Sequence, residues 1–378
     1  MKIWQITDTH FGKGAIQTEK WLNMMSSYFY DFLIPILKKH VKPGDVLLHL
    51  GDVYDNRTSI NVKVLNKVIN IFEDLSKILP VHILIGNHDN FNLSDNDINS
   101  VASIRNINNI YTYSEPTLKT FGNTKCLLLP WVYGKNNEKE VLAAYNDKAK
   151  ILFCHSDLNG ARTQVNPTRP ISKTICELDD FSGYTKVYSG HIHIRQTISN
   201  FSFIGAPYHM DRNDIGNEKG ITVVDPDTLQ EKFIPNTFSP KFNKIYIDTI
   251  EDLDTIDKNY VNNNYVDLII KNSLIIKDNK ARLKIDDILS KSNFETVDYI
   301  DDVINETNDE ANDNIISDND NTNDIVKDIK QITIDWVETK KIYENKEANE
   351  LIISSIKDII NSAFDIRERD IKLSKNLK

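Results

Sequence analysis

Cysteine is scarce in this 378-residue chain: Cys126, Cys154 and Cys176 are the whole supply. No two of them make a CxxC pair, and three cannot all pair with one another. A disulfide framework is therefore not expected, and a reducing, cytoplasmic setting is. Apolar runs of membrane-spanning length are lacking too, and the opening "MKIWQITDTH" has no signal-peptide pattern, so no membrane partner is expected. Basic residues are missing from 298–324, which holds ten acidic ones. That stretch alone matches the formal net charge of −10, whereas residues 1–240 balance at 25 Lys+Arg against 25 Asp+Glu. The acidity is local, and it does not exclude a nucleic-acid partner.

What is present reads as alternating strands and helices over the first 240 residues. Eight apolar runs have strand length: 2–7, 45–51, 81–86, 126–132, 150–156, 186–190, 201–206 and 220–225. Between them, residues 19–40 place Trp21, Met24, Met25, Tyr28, Phe32, Ile36 and Leu37 near a helical period, and residues 60–78 repeat the pattern up to Pro80. This is an α/β domain over 1–240. Residues 241–297 carry two strands and a helix, enough for a small α+β domain. Residues 298–324 are Asn/Asp-rich and too polar to bury a core, which predicts a disordered linker. Residues 325–378 turn helical, with an apolar face through Leu351, Ile352, Ile356, Ile359, Ile360 and Phe364 that calls for a docking partner.

The polar residues that follow the strands carry the chemistry. Run 2–7 ends in Asp8 and His10, run 45–51 in Asp52 and Asp55, and run 81–86 in Asn87, His88 and Asp89. His155 closes run 150–156, and "GHIH" after 186–190 supplies His191 and His193. Each motif alone is weak, since a carboxylate after a strand can simply cap a helix. Five strand ends with metal-competent side chains are a strong signal, because ligands bind at that edge of open α/β sheets. Two divalent cations need a bridging carboxylate, the role expected of Asp52, together with terminal ligands. Imidazole, carboxylate and amide together suit manganese, iron or zinc rather than calcium. Gly51, Gly86 and Gly190 are expected to permit sharp turns off the strands. His40, His49, His82 and His209 are left as ordinary residues with local hydrogen bonds. The alternation in "HIHIR" fits a strand end or a tight turn.

The order DxH, GDxxD, GNHD, H, GHxH resembles the calcineurin-like metallophosphoesterase superfamily. The resemblance implies a four-layer αββα sandwich with a dinuclear centre at the sheet edge. One metal would take Asp8, His10, Asp52 and His193, the other Asp52, Asn87, His155 and His191. His88 would protonate the leaving group or steady the phosphate, with Asp89 orienting it, while activated water attacks phosphorus in line.

Beyond those motifs, "GDVYDNRTSINVKVLNKVINIF" and "FIGAPYHMDRNDIGNEKGITVVD" resemble the SbcD-type nuclease subunits, especially those of large tailed phages. That likeness implies an exo- and endonuclease on DNA with two Mn2+ ions, in recombination or repair. It also implies a DNA-capping domain at 241–297, C-terminal helices docked on an SMC-like coiled-coil ATPase, and a homodimer built from helices at 60–78 and about 94–105. The alternatives are a phosphomonoesterase or cyclic-nucleotide phosphodiesterase of the superfamily, and a non-catalytic scaffold. Lys13, Arg57, Arg162, Arg169, Arg195 and Arg212 lie in loops beside the motifs and are candidate phosphate contacts. Arg195 continues the spacing of His191 and His193 and is expected to face the phosphate.

Overall fold

The structure, a computed structural model, describes residues 1–13, 18–92, 94–133, 135–163, 176–270, 279–292 and 296–299. The segment 300–378, with the C-terminal helices expected there, lies outside the described residues, as does Arg169.

Two six-stranded mixed sheets pack face to face. The first runs β12-β11-β1-β2-β3-β4, built from Glu231–Pro235, Gly220–Val224, Ile3–Ile6, Val46–His49, Val81–Leu84 and Ile110–Tyr113. The second runs β5-β6-β7-β8-β10-β9, from Thr117–Phe121, Thr124–Leu129, Ile151–Cys154, Lys186–Ser189, Phe201–Phe203 and Gln196–Ile198. Every expected apolar run contains a strand, and those eight fill the eight interior places of the two sheets. β1, β2, β3 and β7 are buried at every position, as strands covered on both faces must be. Leu48, Leu84, Leu128, Phe153, Tyr188 and Val224 form the core between the sheets.

Helices complete the four layers. α1 (Thr18–Ser27) passes through a π-helical turn, Tyr28–Leu33, into α2 (Ile34–His40). The extra residue per turn shifts the inward stripe, so Phe29 and Leu33 are fully buried while Phe32 is only partly so. α3 (Val62–Ser76) starts at Asn61, whose side chain accepts the Lys63 N–H, and buries Val64, Val68, Ile71, Phe72 and Leu75 against the first sheet. α4 (Lys135–Tyr145) covers the second sheet with Leu142. The helix expected at 94–105 is not formed. Only a 3-10 turn, Ser100–Ser103, occurs there, capped by Asn99. Asp95 and Asn99 bond nearby backbone N–H groups, a local alternative to a helix.

Residues from 242 form a separate three-stranded parallel sheet, β13 (Phe242–Ile247), β14 (Tyr265–Ile270) and β15 (Thr296–Tyr299). β15 takes Asp298 and Tyr299 out of the segment assigned to the linker. The helix Asn279–Lys291 covers one face through Ala281, Ile285 and Ile288. The sheet joins the body where Trp21 of α1 stacks on Phe242 and Tyr265, at 6.1 and 5.4 Å between ring centroids. Arg212 adds a two-pronged contact to Asp267, at 2.6 and 2.9 Å. Among the described residues, no helix is long and apolar enough to cross a membrane.

Candidate metal centre

β1, β2 and β3 run parallel in one sheet, as do β7 and β8 in the other, so their C-terminal loops meet at one rim. The seven residues expected as ligands converge there in two groups. In the first, His10 Nε2 lies 3.1 Å from His193 Nε2, and both lie 3.9 Å from Asp8 Oδ1. In the second, Asn87 Oδ1 lies 3.0 Å from His155 Nε2 and 2.9 Å from His191 Nδ1. Asp52 stands between the groups: its Oδ2 is 3.6 Å from His10 Nε2 and 3.3 Å from His155 Nε2. Its other oxygen accepts the His88 backbone N–H at 2.8 Å. "GHIH" is an irregular loop rather than a strand, and its turn lets both imidazoles reach the rim while Ile192 is buried.

The backbone is bent to achieve this. Asp8, His10, Asp52 and His191 all have φ between 45° and 79°, a region that L-residues avoid. Such strain costs roughly 1–3 kcal/mol per residue and persists only where the surroundings hold it. Part of what holds it is Asp89. This fully buried carboxylate accepts the backbone N–H groups of Asp52, Val53, Tyr54 and Gly86 at 2.9, 3.0, 3.1 and 2.9 Å. Its oxygens are committed to the two ligand loops, so it does not orient His88 as expected. His88 Nδ1 instead meets the Asp55 carbonyl at 2.8 Å, and its ring lies 4.8 Å from that of His10.

Two of the three glycines differ from expectation. Gly51, with φ of 103°, does make a left-handed turn. Gly86 and Gly190 are needed for close approach: a Cβ on Gly86 would lie 2.2 Å from Asp52 Oδ1, and one on Gly190 2.2 Å from Thr7 Oγ1.

The tautomers show what the centre is built for. His155 Nδ1 points at the Leu50 carbonyl at 2.6 Å, and His10 Nδ1 lies 3.1 Å from Asp55 Oδ1. The His155 Nδ1 keeps its proton for the Leu50 carbonyl, so its Nε2 offers a lone pair to the centre. There it meets Asp52 Oδ2 or Asn87 Oδ1, which are acceptors as well. Acceptor facing acceptor in a buried site requires a cation between them. Without a metal, protons serve that purpose. Burial opposes charge on His155, yet Asp52 and Asp8 push it up to about 9. Burial opposes charge on His10 too, and Asp55, Asp52 and Asp8 raise it nonetheless. Burial would lift Asp52, but His155 and His10 hold its carboxyl well below the usual carboxylate range.

The donor set therefore fits two divalent cations, which would displace those protons. Adding Mn2+ to weakly buffered, metal-free protein at pH 7 should release about one to two protons per chain. A pH-stat reading of no release at pH 7 would contradict this assignment.

Several site residues gave little sign in the sequence. Asp55 stood inside GDxxD without an assigned role. Asp157 Oδ2 lies 3.8 Å from His191 Nε2. Trp131 packs its ring 4.8 Å from that of His191, and nothing in "LLLPWV" marked it. His49, His82 and His209 have local partners in Thr9 Oγ1, Tyr113 OH and the Phe242 N–H, and His40 is exposed.

The candidate phosphate contacts divide. Arg195 does not face the centre. It bonds Thr222 Oγ1 at 2.6 Å and Glu231 at 2.7 Å and lies over Phe233, because its loop turns it onto the edge of the first sheet. Arg212 is held by Asp267, and Lys13 is 3.4 Å from Asp211. Arg57 and Arg162 have no ion pair among the described residues and remain open to solvent to differing degrees.

Comparison with known proteins agrees with this geometry. The profile of the family described as "Calcineurin-like phosphoesterase" matches residues 1–195. "Putative phosphoesterase 078R" of Invertebrate iridescent virus 3 is 25% identical over 178 residues, 44% of this chain and 48% of that protein. "Uncharacterized protein R555" of Acanthamoeba polyphaga mimivirus is 27% identical over 179 residues, 43% of this chain and 13% of that protein. The chain thus spans about half the length of the first relative and far less of the second. Among solved structures, a novel archaeal phosphodiesterase covers 62% of this chain and 99% of its own, at 11% identity and a TM-score of 0.32. A protein of unknown function from Aquifex aeolicus covers 41% of this chain and 80% of its own, at 22% identity and a TM-score of 0.26.

Proposed function

Because the chain belongs to the calcineurin-like phosphoesterase family, we propose that it hydrolyses phosphodiesters of DNA, as the Mn2+-dependent nuclease subunit of an SbcD-type recombination or repair complex. The observation that carries this reading is the third sheet. It docks on α1 and on Arg212. Arg212 lies in the loop whose neighbours Asp211, Asn213 and Asp214 line a cleft of about 170 Å³ with His191 and His193. A further sheet beside an open metal centre suits a long polymeric substrate.

When bound, two divalent ions would be held by Asp8, His10, Asp52 and His193 on one side and by Asp52, Asn87, His155 and His191 on the other. They would supply Lewis acidity and a water nucleophile active near neutral pH. The chain's own residues do the rest. Asp52 keeps one oxygen on the His88 N–H and aims the other between the two groups. The Leu50 carbonyl keeps His155 in the tautomer with Nε2 free. His88, anchored through Nδ1 on the Asp55 carbonyl, can pass a proton from Nε2 to the departing oxygen, a role worth about 100- to 10,000-fold in rate.

The test is cleavage of end-labelled linear and hairpin DNA with Mn2+. The full chain should cut, and His88→Gln should lose activity within that range without losing its Mn2+-induced gain in melting temperature. Hydrolysis of small phosphate esters with no cutting of any DNA would assign the centre to a phosphomonoesterase or a cyclic-nucleotide phosphodiesterase. Docking of residues 325–378 on a coiled-coil ATPase is part of the same proposal. Deleting them should abolish co-purification with that partner while sparing basal cleavage.

A further inference from the structure

Lys219 is a buried charge that the hydrolytic mechanism does not use. It stands at the foot of β11 and is 4% exposed. Its ammonium donates to the His193 carbonyl at 2.6 Å and to Asp214 Oδ1. Asp214, 2% exposed, uses its second oxygen to accept the Met210 and Asp211 N–H groups at 2.7 and 3.3 Å. The His193 carbonyl has one further donor, the Ala206 N–H at 3.0 Å.

The loop carrying His191 and His193 needs support of this kind. It has no strand ladder of its own, and His191 sits at a φ of 79°. A Cβ on Gly205 would lie 2.9 Å from the His193 carbonyl, so the 203–207 turn presses on the same atom. Burying a lysine is costly unless it is paired and its donors are used. Lys219 meets both conditions, and one of its partners is the backbone of a candidate ligand. The contact ties three elements together: the His193 loop, the Met210–Asp214 turn, and β11, which pairs with the β1 strand that delivers Asp8.

We infer that Lys219 is a positioning residue for the metal centre: its ammonium, held by Asp214, fixes the His193 carbonyl and so aims the His193 imidazole at His10. The inference rests on the reading of the cluster as a metal centre. It requires that Lys219 set the affinity for metal more than the rate of the loaded enzyme. Outer partners that orient metal-ligating groups typically govern affinity by about 10- to 100-fold.

Lys219→Met combined with Asp214→Asn tests it, because the pair removes both charges together and leaves no unpaired ion. The full chain is titrated with Mn2+, reading both hydrolysis of bis(4-nitrophenyl) phosphate and the Mn2+-induced rise in melting temperature. The double variant should need about 10- to 100-fold more Mn2+ for half-effect in both readouts, with a smaller drop in the plateau rate. Asp214→Asn alone leaves the buried ammonium without its counter-charge, so the lysine loosens and the Mn2+ requirement should rise as well.

An unchanged Mn2+ requirement in the double variant would overturn the inference. If the double variant does not fold, Lys219→Arg keeps a cation for Asp214 but cannot put a single N–H in the same place. A raised requirement is expected there too, and an unchanged one again overturns the idea. A wild-type protein with no Mn2+ response in either readout would sink the metal-centre reading itself and is told apart from both outcomes.

Discussion

Asp52→Asn should lower Mn2+-dependent phosphodiester hydrolysis by roughly 1,000-fold or more, about 4 kcal/mol of transition-state stabilisation. The substitution is nearly isosteric. The amide oxygen can still accept the His88 N–H that Asp52 Oδ1 accepts at 2.8 Å, so the loop holding the proton donor should stay in place. What is lost is the charge at Oδ2, the single atom within 3.6 Å of both histidine groups. One amide cannot serve two cations as a carboxylate does, and the Mn2+-induced melting shift should shrink with the rate. Single-turnover hydrolysis at saturating Mn2+, with circular dichroism to confirm folding, reads the outcome. A variant within tenfold of wild type would remove Asp52 from its bridging place.

Gly86→Ala should be severely damaging for a single added methyl group. The added Cβ would lie 2.2 Å from Asp52 Oδ1 and 2.3 Å from the Asp52 backbone nitrogen. The second neighbour is backbone, held at a φ of 57° by Asp89, and cannot move without breaking that clamp. Overpacking of this kind costs about 3 kcal/mol or more, a fall of roughly 6 °C or more in melting temperature for a domain of this size. Activity should fall further than stability, because relief of the clash moves Asp52 first. Gly160→Ala is the control. Gly160 too has a left-handed φ, 88°, but nothing lies within 4 Å of an added Cβ, so it should suffer the backbone penalty alone, about 1 kcal/mol. Equal melting temperatures for the two variants would mean that the close approach at Gly86 is not a constraint.

Both effects sit at positions whose chemistry was visible in the sequence and whose geometry was not. The eight interior strands were legible because a strand covered on both faces must be apolar throughout, as "VLLH" and "ILFC" are. The four unread strands of these two sheets are their edges. β4, β5, β9 and β12 each carry exposed or half-exposed positions, and an edge strand has only one paired side to pattern it. The ligands were legible because their side chains do the chemistry. Their supports were not. Asp89 acts on backbone amides, His88 leans on a backbone carbonyl, and Lys219 reaches a backbone carbonyl 26 residues away. Contacts to main chain carry no residue-type signature on the receiving side, so no motif records them. Arg195 shows the opposite error: spacing pointed it at the phosphate, but the loop leaves strand geometry at His191 and period-two alternation stops applying.

A divalent-metal phosphoesterase centre at this rim makes catalysis depend on added metal. The most direct measurement is hydrolysis of bis(4-nitrophenyl) phosphate by chelator-stripped protein as Mn2+ is added back, run beside Asp52→Asn. No turnover is expected without metal, a rise that reaches its plateau with two Mn2+ bound per chain, and little or none in the variant. Turnover that survives chelation, or that is equal in wild type and Asp52→Asn, would contradict it.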